Sequence, residues 1–102
     1  MAFIDQYDFE NLHNESEKFV LDELGRQLEN YSLHICLCNE CVSDMAAMSL
    51  NTVKPLYRVS LLGSLYTASK MDEKTYATSV REAVFHAIEK VKQNPSHEIK
   101  NT

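Results

Sequence analysis

Cys36, Cys38 and Cys41 stand within the run His34-Ile35-Cys36-Leu37-Cys38-Asn39-Glu40-Cys41, and they are all the cysteine this chain has. Thiols at spacings of two and three can face one point, and three converging thiolates are the donor set that a soft divalent cation such as zinc prefers. A disulfide framework reads less well. The count is odd, one thiol is left over, and no basic, apolar, cleavable leader follows Met1 to send the chain to an oxidising compartment. The expected compartment is the cytoplasm.

Three thiolates leave a tetrahedral site one ligand short. His97 follows Pro95 just past a long helical pattern, and it reaches the cysteine turn if the last helix packs antiparallel to the one after the cysteines. It is the first choice for the fourth ligand. His34, Asp44, water and a partner chain remain open. His13 and His86 read better as ordinary surface residues.

These thiols need elements to hold them. At 102 residues and 44% hydrophobic, the chain has material for one core, and its two glycines and two prolines suit helices better than a sheet that must turn often. Phe19, Val20, Leu24, Leu28 and Tyr31 fall at helical spacing from about Asn14, with Asn14 or Ser16 as the cap. Gly25 inside that pattern suggests a close approach of another segment. A second helix runs from about Asn39 to about Val53, with Cys41, Val42, Met45, Met48, Ser49 and Val53 on one face, until Pro55 stops it. Its positive end favours thiolate at Cys38 or Cys41. Ser69 and Asp72 resemble a capping box before a long core helix striped by Tyr76, Val80, Val84, Ala87, Ile88 and Val91 and ended by Asn94-Pro95. Residues 56–66 read as irregular. The expected fold is all-α, a small bundle of about four helices with a zinc-stapled turn. It has an arm at 1–12, a helical domain at 13–98 and a polar tail at 99–102.

Charge divides the chain. Residues 1–50 carry two cations against ten carboxylates, net −8, while residues 51–102 carry eight cations against five, net +3. Between Asp44 and Asp72 there is no acid, yet Lys54, Arg58 and Lys70 lie there among Asn51, Tyr57 and several hydroxyls. An anion would sit in that segment; the alternative is that these cations pair with the acidic first helix. Bulk binding to duplex DNA is disfavoured by the overall charge of −5. No apolar run approaches the ~20 residues that cross a bilayer. A thiolate-rich shell quenches Lewis acidity, and no phosphate-cradling glycine loop, His-Glu-x-x-His run or nucleophile elbow appears, so the chain is expected not to be an enzyme.

The segment from Cys36 to Asn51, with its C-x-C-x-x-C-x-x-D core and Leu50-Asn51, followed by Pro55 and Tyr57, resembles the signature of the late competence development protein ComFB family. His13-Asn14 with Glu17, Val20, Glu23 and Leu24 is similar to the family's first helix, and the spacing to Asn94-Pro95-Ser96-His97 also fits. The resemblance implies a helical, zinc-binding, homodimeric bacterial cytoplasmic protein, some of whose relatives are receptors for cyclic nucleotides such as cyclic di-GMP. It places the metal on Cys36, Cys38 and Cys41, with a terminal Cys or His position at or near His97. A cyclic dinucleotide offers two phosphates and two purines, and Asn51, Lys54, Tyr57, Arg58 and Lys70 supply donors, cations and a stacking ring. The expected function is therefore a regulatory cyclic di-GMP receptor with a structural zinc. The alternative is a zinc-stabilised adaptor in competence or motility regulation that docks a regulatory protein and takes no nucleotide.

Overall fold

The computed structural model describes residues 2–31, 34–59 and 73–95. Among these residues, three α-helices carry the architecture: α1 (Ser16–Glu29), α2 (Asn39–Thr52) and α3 (Glu73–Gln93). α3 packs against both of the others, and α1 also touches α2. The core forms where their apolar stripes meet. Val20 and Leu24 from α1, Cys41, Met45 and Ser49 from α2, and Val80, Val84, Ala87, Ile88 and Val91 from α3 are all buried. The buried Ser49 hydroxyl donates to the Met45 carbonyl at 2.8 Å, which satisfies its polar atom within the helix.

The fold is mostly helical but not all-α. His13–Asn14 (β1) pairs antiparallel with Tyr57–Arg58 (β2), His13 opposite Arg58 and Asn14 opposite Tyr57. No local pattern announces this pair, because its two strands are two residues long and more than forty residues apart. Asn14 fastens it. Its side-chain oxygen accepts from the Leu56 amide at 2.6 Å and from the Ser16 amide at 3.2 Å, and the Glu15 amide donates to the Leu56 carbonyl at 2.8 Å. One side chain thus serves the start of α1 and the segment leaving α2.

Against about four helices expected, the described residues hold three, and residues 60–72 lie outside them, as do the Ser69–Asp72 capping box and the 99–102 tail. Two expectations inside α1 need correction. Gly25 admits no close neighbour, since a Cβ built there meets nothing within 4 Å. Phe19 is half out of the core, its ring edge-on to that of Tyr76 at 5.9 Å. Tyr76 is buried, and its hydroxyl donates to the Lys54 carbonyl at 3.1 Å, tying α3 to the loop after α2. Before β1, residues 3–5 make a single 3-10 turn.

Candidate metal centre

α2 begins where Cys38 leaves helical geometry. Its backbone is extended (φ −69°, ψ 160°), and its sulfur accepts from the Cys41 amide at 3.3 Å, so a thiol performs the capping that Ser or Asp usually provides. That contact, first, holds the Cys38 thiol below the usual thiol range; burial opposes it, and the Cys36 and Cys41 thiols and the Glu40 amide add to it. Cys36 and Cys38 precede the helix, Cys38 with extended backbone, while Cys41 lies in its first turn. Cys41 is buried in the core and its two neighbours are half-buried.

The three Sγ atoms lie within 4.8 Å of one another. A tetrahedral ion at ~2.3 Å from each sulfur needs them about 3.8 Å apart, so the sulfurs would draw together by at most about 1 Å. The donor set fits: soft thiolates, an amide on sulfur that favours the charged form, and an apolar surround in Ile35, Val42 and the core. These three could hold a metal ion. Among the described residues no fourth Cys, His, Asp or Glu joins them. His34 and Asp44 are exposed and outside the cluster. His97 lies outside the described residues.

The ends of this stretch are held. On one side is the first turn of α2. On the other is Tyr31, whose hydroxyl donates to Glu89 at 2.7 Å, while Lys92 bonds the same carboxylate at 3.2 Å and lies 5.7 Å from the Tyr31 ring centre. The Tyr31 hydroxyl, more than Lys92, holds the Glu89 carboxyl below its ordinary range. The latch joins α1's end to α3 across 58 residues, and sequence reading misses it because Tyr31 looks like one more member of an apolar stripe.

The anion-site residues are less closely gathered. Asn51 and Lys54 are exposed at the end of α2 and just beyond it, and Tyr57 is 60% exposed on β2. Arg58 is already engaged: its Nε donates to Glu15 Oε1 at 2.6 Å, and His13 Nε2 meets the same oxygen at 2.8 Å. Sequence reading named Arg58 for an external anion, and the structure sets it on the acidic start of α1, the alternative left open there. Glu15 is the residue that reading overlooked. Lys70 lies outside the described residues.

The sequence profile described as late competence development protein ComFB matches residues 13–95. A competence protein ComFB of Bacillus subtilis strain 168 is 31% identical over 84 residues, covering 79% of this chain and 83% of that protein. A solved structure, reported as a structural characterization of the late competence protein ComFB from Bacillus subtilis, superposes with a TM-score of 0.66 at 27% identity, over 89% of this chain and 99% of that one. Among the described residues, no helix is long and apolar enough to cross a membrane.

Proposed function

This chain belongs to the late competence development protein ComFB family, and from that premise we propose that it is a homodimeric regulatory protein of the bacterial cytoplasm that acts by binding rather than catalysis. Its metal is a structural zinc on Cys36, Cys38 and Cys41, with His97 as the fourth ligand. The observation that carries this reading is the convergence of three sulfurs within 4.8 Å at the start of a core helix. Bound zinc supplies a cross-link, worth on the order of 10 kcal/mol or more in small zinc domains. Cys41 ties that cross-link to the core, and Cys38 ties it to the first turn of α2. The loop after α2 is thereby presented in one conformation.

The ligand we assign to that loop is a cyclic dinucleotide, cyclic di-GMP first. Exposed Asn51, Lys54 and Tyr57 offer a donor, a cation and a stacking face in a segment without acids, with Lys70 further along it. Calorimetry on metal-loaded protein with cyclic di-GMP, cyclic di-AMP and cAMP tests the assignment. Heat that is lost in Lys54→Ala and Tyr57→Ala supports it, and no heat with any of the three overturns it. Elemental emission should find one zinc per chain, and a strong chelator should lower far-UV helicity; native helicity after complete zinc removal would refute the structural role.

A second reading is favoured by one contact. Because Glu15 holds Arg58, the cation best suited to forking a phosphate is occupied, and a protein-docking adaptor without a nucleotide requires no exchange of that pair. Absence of calorimetric heat combined with intact zinc points to it.

A further inference from the structure

Two features of the surface remain without a role, and each has what the other lacks. The first is the arm before β1. Phe3, Tyr7 and Phe9 are 68%, 60% and 44% exposed, and their rings gather on one another at 4.9 to 6.4 Å rather than on the core. Asp5, Asp8 and Glu10 are interleaved with them, and Ile4 and Leu12 are also exposed. So much aromatic surface on eleven residues marks an interaction site. The arm precedes the segment that matches the family profile, residues 13–95.

The second feature is a groove of about 420 Å³ between the C-terminal half of α1 and the middle of α3. Arg26, Arg81, Tyr31, Phe85 and His86 line it. Glu82 also lines it, and Glu23 grips Arg26 in a two-pronged pair. Arg81 donates to the Thr78 hydroxyl at 3.2 Å and forms no ion pair among the described residues. Phe85 is 48% exposed, edge-on to His86. Cations beside exposed rings are what an acidic, aromatic segment docks against.

We propose that the arm of one copy docks in the α1/α3 groove of a second copy. This rests on the homodimer in the functional reading and adds the surfaces that make it. The arm leaves the fold at the N-terminal end of α1, whereas Arg26 and Tyr31 stand at the other end of a 14-residue helix, about 20 Å away. A twofold axis that sets two α1 helices antiparallel brings each arm to the partner's groove and makes both contacts at once. Arg81 then meets the Asp and Glu side chains of the arm, and Phe85 and Tyr31 meet its rings.

Sedimentation equilibrium of the zinc-loaded full chain tests this. The triple variant F3S/Y7S/F9S and the groove variant R81E/F85A should each raise the dimer dissociation constant about tenfold or more, with circular dichroism unchanged. Mixed in equal amounts, the two variants should associate more tightly than either alone, because one carries an intact groove and the other an intact arm. A dimer untouched by both variants overturns the arm and groove while leaving the dimer reading intact, whereas a monomeric wild type overturns both. Weakening by the arm variant alone refutes the groove as acceptor, and no recovery on mixing refutes exchange between copies.

Discussion

Replacing Asn14 with alanine tests whether one side chain joins the start of α1 to the segment leaving α2. Its oxygen accepts from the amides of Leu56 and Ser16, two residues that are themselves buried. Alanine leaves both donors without an acceptor in a place water enters poorly, and each orphaned group costs about 1–3 kcal/mol. The sum, reduced because the shorter contact dominates and β1 can shift toward solvent, is about 2–4 kcal/mol. That is a large share of the stability of a domain this size. Urea denaturation of the zinc-saturated protein, followed by far-UV circular dichroism, should show a lower midpoint at unchanged slope. Asn14→Asp keeps the acceptor and should lose less than Asn14→Ala at neutral pH. A loss below about 0.5 kcal/mol in Asn14→Ala would refute the fastener, since surface changes fall in that range.

Gly25→Ala should stabilise by about 0.5–1 kcal/mol, because the position is mid-helix and exposed, and a Cβ there meets nothing within 4 Å; thermal melting reads it as a rise of a few degrees. Met45→Ala, at a fully buried site beside the thiol of Cys41, should cost about 2–5 kcal/mol by urea unfolding. The Glu15 carboxyl is held below its usual range first by Arg58 and then by His13, with burial opposing. Folding therefore favours its charged form. The contribution is complete above the unfolded carboxylate pKa of about 4.3 and disappears as pH falls through the lower folded value. Urea midpoints taken from pH 6 downward should fall less steeply in Glu15→Gln than in wild type.

The helices were legible because their signal is periodic and local. Val20 and Leu24, then Cys41, Met45 and Ser49, then the six-residue stripe from Tyr76 to Val91 recur at helical spacing, and each faces the core. The thiol cluster was legible because its spacing is short enough to fix geometry without tertiary context. What escaped was non-local. Glu15 meets Arg58 across 43 residues, Asn14 meets Leu56 across 42, and Tyr31 meets Glu89 across 58. Such pairs join polar groups at element ends, where no repeat exists to be read. Gly25 misled for a related reason. A glycine in a helix has several causes, and only the neighbouring surface decides among them.

Tyr31 and the first turn of α2 stand like two moorings around the thiols. Thiols placed in this way, Cys41 in the core and Cys38 on the first turn of the helix, have already surrendered much of their freedom, so capturing an ion asks for little further ordering. The grip on the metal can then pass almost undiminished into the grip of one helix on the next. Loosening the mooring at Tyr31 should therefore weaken the ion's hold even where every sulfur that touches it is left in place.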